Sequence, residues 1–196
     1  HEWDLTLGEI YQGLGAQVAV DGEWVDNPYT NWSEINPDLP DVEILVYGPP
    51  PTSGTRDAFV ELAMHAGCEE LEYVETLETE DKGDWVEQNC SRMRTDGPFV
   101  EAGENDNLIV QRLQSDSDAL GIFGYSFLYE NQDTLQPVTV EGVEPSPETI
   151  ADKSYPISRP LYFYVKNAHR GVIPNLQEFI TEYMSDDALA QGGYLT

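Results

Sequence analysis

A strand that runs directly into a loop and then a helix is the feature that most limits how this chain can fold. Residues 42–47 form an apolar, β-branched run between Pro40 and Gly48, which predicts a strand buried in a sheet. The next loop is rich in proline, glycine and hydroxyl residues, and residues 56–67 then carry apolar side chains at helical spacing up to a final glycine. A strand followed by a helix in this way is typical of α/β folds.

The same alternation returns farther along the chain. Residues 105–114 predict a second helix, and residues 119–125 predict a second buried strand. Residues 160–166 predict a long aromatic strand, and residues 176–184 predict an amphipathic helix. The fold class is therefore predicted to be α/β, with a mixed β-sheet flanked by helices.

Other segments predict shorter or more solvated structure. Residues 5–13 predict a short helix capped by Thr6, and a turn-rich stretch follows it. Residues 31–37 predict either a one-turn helix or a loop. Residues 69–84 are strongly acidic and lack a strong strand pattern, which predicts solvated helix and loop.

The charge of the chain excludes one class of partner. There are 9 Lys and Arg against 37 Asp and Glu, giving a formal net charge of −28. A field of this sign repels nucleic acids, so no nucleic-acid partner is expected. The sequence also contains no run of about 18 apolar residues, the length needed to span a bilayer.

The chain has two cysteines, Cys68 and Cys90. They suffice for one disulfide, which would close a loop of roughly 20 residues and contribute about 3 kcal/mol in the chain-entropy model. Such a bond fits an oxidising compartment. Two free buried thiols are the alternative.

The loop between the first predicted strand and its helix contains a pattern suited to an anion. Ser53, Gly54 and Thr55 stand at a helix start, where unpaired N–H groups and the helix dipole favour negative charge. Glycine allows close approach, and the hydroxyls can add neutral donors. Arg56, the only Lys or Arg in the first 81 residues, could add a charge-assisted contact to a tetrahedral oxyanion.

A purely structural interpretation of this loop stays open. Ser and Thr are ordinary helix N-caps, and Arg56 could simply bridge to Asp57 or to Glu61. The pattern also lacks the lysine that a P-loop requires.

Several stretches, taken in order, carry a family resemblance. They are residues 5–7 (Leu-Thr-Leu), 31–37 (Asn-Trp-Ser-Glu-Ile-Asn-Pro), 52–59 (Thr-Ser-Gly-Thr-Arg-Asp-Ala-Phe), 119–128 and 155–165 (Tyr-Pro-Ile-Ser-Arg-Pro-Leu-Tyr-Phe-Tyr-Val). With these residues the chain resembles the periplasmic phosphate-binding proteins that deliver phosphate to ABC transporters. The stretches are far more specific together than singly, and they cover nearly the whole chain.

The resemblance implies non-covalent binding of inorganic phosphate without catalysis. No cofactor is expected. It implies that Ser53, Gly54 and Thr55 are ligand residues. Many members carry an arginine four residues before the serine, where this chain has Pro49. Arg56 is therefore expected to be the charged partner instead.

The resemblance also implies a two-lobed protein of the type II periplasmic-binding-protein fold. Residues 1–196 are expected to form a single lobe, lacking the N-terminal lobe segment and the extreme C-terminus that full-length members have. The expected partners are phosphate, the companion lobe and the membrane permease of an ABC transporter. The expected location is periplasmic or secreted.

Two interpretations from other functional classes stay open. A phosphate-ester hydrolase could use the same anion cradle, but Ser53 would need a base, and His65 stands over two turns along the same helix while His169 is distant in sequence. A structural or interaction fragment that cannot bind phosphate is the other. His65 and Cys68 do not complete a zinc site, and residues 103–107 and 116–118 do not complete an EF-hand, so no metal site is expected.

Overall fold

The computed structural model describes residues 2–77 and 82–189. The chain divides into two compact units, His1–Arg159 and Pro160–Thr196. The predicted stretch 69–84 lies partly outside the described residues, which omit positions 78–81.

The first unit contains short strands and a larger number of helices. The strands are β1 Asp4–Leu5, β2 Gln17–Val20, β3 Glu23–Asp26, β4 Val46–Gly48, β5 Phe99–Glu101, β6 Leu120–Gly121 and β7 Thr139–Val140. The helices are α1 Leu7–Leu14, α2 Trp32–Ile35, α3 Gly54–Phe59, α4 Ala66–Glu69, α5 Glu72–Glu75, α6 Lys82–Cys90, α7 Asp106–Leu113, α8 Tyr125–Glu130 and α9 Pro147–Ala151. A π-helical segment, Val60–His65, joins α3 to α4, so helical backbone runs without interruption from Gly54 to Glu69.

Strand pairing is both parallel and antiparallel, which confirms the predicted mixed α/β class. β4 is the middle strand of a parallel three-stranded sheet in the order β5-β4-β6. β1 pairs in parallel with β7, and β2 with β3 forms an antiparallel hairpin. Because α3 follows the central strand of the three-stranded sheet, its first turn lies at the carboxyl end of β4.

Helix α1 is built as the sequence predicts. Thr6 accepts a hydrogen bond from the Glu9 N–H, and the Glu9 carboxylate accepts one from the Thr6 N–H, which completes a capping box. Ile10, Tyr11 and Leu14 lie on one face and are buried in the main core. This face packs against the π-helical segment and α4.

The packing of α1 against α4 brings the backbones of the two helices into close contact at Gly67. An ideal Cβ at Gly67 would lie 2.0 Å from the Leu7 carbonyl oxygen and 2.4 Å from its carbon. No side chain fits in that space, so only glycine allows the two helices to come this close. Next to it, Cys68 and Cys90 form the predicted disulfide, which joins α4 to α6.

A buried arginine fixes the chain segment before β5. Arg94 is only 5% exposed. It donates to the carbonyls of Gly13 and Tyr29, and its guanidinium pairs through two bonds of 2.7 Å with Asp96. These bonds satisfy a cation that would otherwise be costly to bury, and they lower the pKa of the Asp96 carboxyl.

Two sequence predictions about strands in the first unit differ from the structure. The turn-rich stretch after α1 contains the β2–β3 hairpin, whose tip residues Asp21 and Gly22 both have positive φ. The predicted strands 42–47 and 119–125 are shorter, at Val46–Gly48 and Leu120–Gly121. Ladder pairing ends where the partner strands end, and the apolar pattern alone does not show that limit.

The prediction of a strand over residues 160–166 in the second unit is wrong. This segment pairs with no described strand, and Leu161 and Tyr164 are 89% and 93% exposed. An apolar run needs a ladder partner as well as a strand pattern, and within the described residues there is none. The described part of this unit continues with a 3₁₀ turn at Asn167–His169, then α10 Leu176–Tyr183 and α11 Asp186–Leu189.

Helix α10 confirms the predicted amphipathic helix at residues 176–184. Ile180 is buried, and the Phe163 and Tyr183 rings lie 4.6 Å apart between centroids. None of the helices in residues 2–77 and 82–189 has the length and apolar content required to cross a bilayer.

We expect Gly67→Ala to destabilise the protein by about 3 kcal/mol or more, because the methyl group would force α1 and α4 apart. Gly8→Ala is the matched control, since an ideal Cβ there meets its nearest atoms only at 3.8 Å. Urea unfolding followed by circular dichroism would measure both. Equal midpoints for the two variants would contradict the packing argument.

Removal of the disulfide by Cys68→Ala with Cys90→Ala should lower the free energy of unfolding by about 3 kcal/mol, because the bond spans 22 residues of an otherwise open chain. Dithiothreitol should reduce the thermal stability of the wild type and leave that of the double variant unchanged. An unchanged wild-type midpoint under reducing conditions would refute a stabilising bond.

Candidate functional site

The candidate site lies where β4 ends and α3 begins. Ser53 is the N-cap of α3, and its Oγ accepts a hydrogen bond of 3.2 Å from the Thr55 N–H. The Ser53 N–H donates to the Pro50 carbonyl, which closes the loop below the helix start. The structure therefore brings the predicted residues Ser53, Gly54 and Thr55 together in one turn.

The first turn of α3 offers backbone donors. The N–H groups of Gly54 and Arg56 have no hydrogen-bond partner in the part of the chain that the structure describes. Gly54 is exposed, and the nearest described atom to an ideal Cβ built on it, apart from its chain neighbours and its own helix, is Arg159 Nη2 at 3.8 Å. The space beside this helix start is therefore open to a ligand, and the unpaired donors with the helix dipole favour an anion there.

The predicted cation Arg56 packs inward from the same turn. Its guanidinium carbon lies 4.4 Å from the centroid of the Phe99 ring, and its Nη1 donates to the Pro49 carbonyl at 3.3 Å. Burial lowers the pKa of the guanidinium, and the carboxylates of Glu101 and Asp57 oppose this shift. Arg56 thus holds the loop against β5 while remaining in the first turn of the helix.

A second arginine, which no sequence motif singled out as a site residue, reaches the same turn. Arg159 Nη2 donates to the Gly54 carbonyl at 3.2 Å across a sequence separation of 105 residues. The residue lies in the Tyr-Pro-Ile-Ser-Arg stretch that carries the family resemblance. Its place in that stretch was the only sequence signal that could have pointed to Arg159, since no short-range motif links residue 159 to residue 54.

The surroundings also contain negative charge and a buried proline. The Thr52 hydroxyl donates to a Glu104 carboxylate oxygen, so this hydroxyl is already committed to a protein acceptor. Pro49 is fully buried. The position at which the family resemblance led us to expect an arginine is thus a core position here, and cations reach the loop from Arg56 and Arg159 instead.

Comparison with known proteins decides the family. A family model described as a PBP superfamily domain matches residues 5–187. The chain belongs to the PBP superfamily. A solved structure described as a possible phosphate binding protein from Planctomyces limnophilus matches this PBP superfamily chain with a TM-score of 0.57 and 28% identity, covering 93% of this chain and 54% of that one.

Two curated relatives extend the comparison. The phosphate-binding protein PstS of Staphylococcus saprophyticus is 31% identical over 160 residues, which is 79% of this PBP superfamily chain and 41% of the relative. The protein SphX of Synechocystis is 30% identical over 163 residues, or 80% of this chain and 40% of the relative. The chain therefore spans less than half the length of these relatives.

The histidine and the acidic loops considered for catalysis or metal binding make structural contacts in this PBP superfamily chain. His65 Nε2 lies 2.6 Å from Ser91 Oγ, so this histidine is engaged at the far end of the helical segment from Ser53. Asn105 caps α7, and Asp116 accepts a hydrogen bond from the Tyr47 hydroxyl, which raises the pKa of that tyrosine. Within the described ranges, no group of three or more His, Cys, Asp or Glu is placed to hold a metal ion.

Arg56→Met should lower the free energy of unfolding by about 1–2 kcal/mol, because the contact with Phe99 and the hydrogen bond to the Pro49 carbonyl are lost. Arg92→Met, at an exposed position, is the matched control and should change it by less than about 0.5 kcal/mol. Chemical denaturation would give both values. Equal stability of the two variants would argue against a structural role for Arg56.

Proposed function

We propose that this chain binds inorganic phosphate non-covalently at Ser53, Gly54 and Thr55, as part of the substrate-binding protein of a phosphate ABC transporter. The observation that carries the proposal is the uncovered helix start at Gly54, with a capping serine and with N–H groups that have no partner among the described residues. The printed names of the PstS relative and of the Planctomyces structure support phosphate as the anion.

The chemistry of the turn suits a tetrahedral oxyanion. Backbone N–H groups and the Thr55 hydroxyl are donors, and together they can contact two oxygens of one phosphate. We propose Arg56 as the charged partner of the phosphate, since among the described residues its one hydrogen bond, from Nη1 to the Pro49 carbonyl, leaves its other N–H donors available. Non-covalent binding by such donors needs no nucleophile, and we propose no catalytic step.

The wider assembly is also a proposal. We infer an extracytoplasmic location, periplasmic or secreted, a companion lobe that completes the phosphate site, and a permease that receives the ligand. The Cys68–Cys90 disulfide supports the location, because such bonds persist in oxidising compartments. The family and the partial coverage of the relatives support the two-lobe arrangement, with residues 1–196 as one lobe.

An amide NMR titration with phosphate tests the proposal, with sulfate at matched ionic strength as the second ligand. We expect saturable, phosphate-specific shifts at Ser53, Gly54 and Thr55. With donors from one lobe alone, the dissociation constant should be roughly millimolar, which NMR detects well.

Titration of the Gly54→Ala variant tests whether the phosphate binds at this turn. The added methyl has room beside Arg159, so the fold should persist, but it would stand where the anion approaches the helix start and weaken phosphate binding roughly tenfold or more. Gly83→Ala, a glycine whose ideal Cβ meets nothing within 4 Å, is the matched control and should bind as the wild type does. Identical responses to phosphate and sulfate, or shifts that are unchanged in Gly54→Ala, would refute the proposed site.

A further inference from the structure

We propose that Arg159 supplies a further charge-assisted contact to the anion at the α3 start, beside that of Arg56. This inference rests on the proposed phosphate site and adds to it a binding residue from a distant part of the chain. The anchoring observation is the 3.2 Å hydrogen bond from Arg159 Nη2 to the Gly54 carbonyl.

The geometry places the guanidinium on the open side of the glycine. Arg159 Nη2 lies 3.8 Å from the position an ideal Cβ would take on Gly54, and among the described residues no other atom outside the chain neighbours and the helix's own backbone lies within 4 Å of that position. A ligand that approaches Gly54 from this side therefore lies next to the guanidinium. Its planar fork can contact an oxyanion through two parallel N–H donors while one N–H stays on the carbonyl.

The donors of Arg159 are available. The side chain is exposed, and within residues 2–77 and 82–189 its hydrogen bond to Gly54 is its only polar contact. A guanidinium has five N–H donors, so four remain. Arg56 differs, because its guanidinium is half-buried over Phe99. Of the two arginines at this turn, Arg159 has the greater freedom to contact a ligand.

The backbone that carries Arg159 is held in place. Tyr155 and Ile157, four and two residues earlier, pack against the main core, and the Tyr155 N–H donates to the Thr149 carbonyl at 2.9 Å. Burial raises the pKa of the Tyr155 hydroxyl to about 12, as expected for a ring packed into the core. Since the segment is fixed before a ligand arrives, less conformational entropy is lost on binding.

The charge balance explains why such a residue matters here. The chain carries a net charge of −28, and the Glu104 carboxylate contacts Thr52 beside the loop. The nearby carboxylate therefore opposes an anion at this turn, and contacts at short range must supply the attraction. A guanidinium in contact with the anion supplies that attraction, because charge-assisted hydrogen bonds are about twice as strong as neutral ones.

Isothermal titration calorimetry and NMR with inorganic phosphate on the full chain test the inference. Arg159→Gln should weaken phosphate binding roughly 10- to 100-fold, and Arg159→Lys, which keeps the charge but loses the fork, should lie between that variant and the wild type. Arg170→Gln removes the same charge from an exposed position and should bind like the wild type. Circular dichroism would verify that all variants are folded.

The NMR signals of the Arg159 side chain distinguish direct contact with phosphate from an indirect role in positioning the turn. The Arg159 side-chain N–H signals should shift with phosphate and saturate at the same concentration as the Gly54 amide. Absence of phosphate binding by the wild type would overturn the proposed function. Wild-type binding that persists unchanged in Arg159→Gln, or Arg159 signals that stay constant, would overturn this inference alone.

Discussion

The contact between Gly67 and the Leu7 carbonyl is the constraint on which the first unit depends. It sets the distance between α1 and the helical segment Gly54–Glu69, and the neighbouring Cys68–Cys90 bond ties that segment to α6. With its carboxyl end fixed in this way, the segment cannot slide along its axis. Its amino end is then held at the end of β4, where Ser53 caps it. The position of the candidate site thus follows from packing at the opposite end of the same helix.

A strongly acidic chain can still present a local site for an anion. Charges more than a Debye length away, about 8 Å at physiological ionic strength, are largely screened, whereas contacts at the helix start are not. Arg56 and Arg159 both reach this turn, and Arg56 bridges it to Phe99. Unpaired N–H groups add dipoles whose direction is fixed by the backbone. The net charge therefore predicts repulsion from nucleic acids but does not decide what binds within a few ångströms of Gly54.

The sequence predicted local structure best where a single segment contains its own signals. The helix capped by Thr6, the helix at 105–114 and the helix at 176–184 were all predicted because caps and apolar periodicity are local. The turn Ser53–Thr55 was found for the same reason. Apart from the Cys68–Cys90 disulfide, which the two cysteines themselves suggest, structure that depends on a distant partner was missed or wrongly predicted. Arg159 touches Gly54 only through the fold, and residues 160–166 have a strand pattern without a ladder partner among the described residues.

A weak ligand cannot be what holds this site together. Thr52, Gly54 and Arg159 are exposed, so an anion on this turn leaves part of its surface in water and gains only a share of the contacts it could make. Even at ten times its dissociation constant, a ligand stabilises the folded state by only about 1.4 kcal/mol. The Ser53 cap, the Arg56 contact with Phe99 and the Arg159 bond to the Gly54 carbonyl must therefore preorganise the turn without the anion. Preorganisation of this kind lets a small set of donors discriminate among anions, because none of the binding energy is spent on ordering the loop.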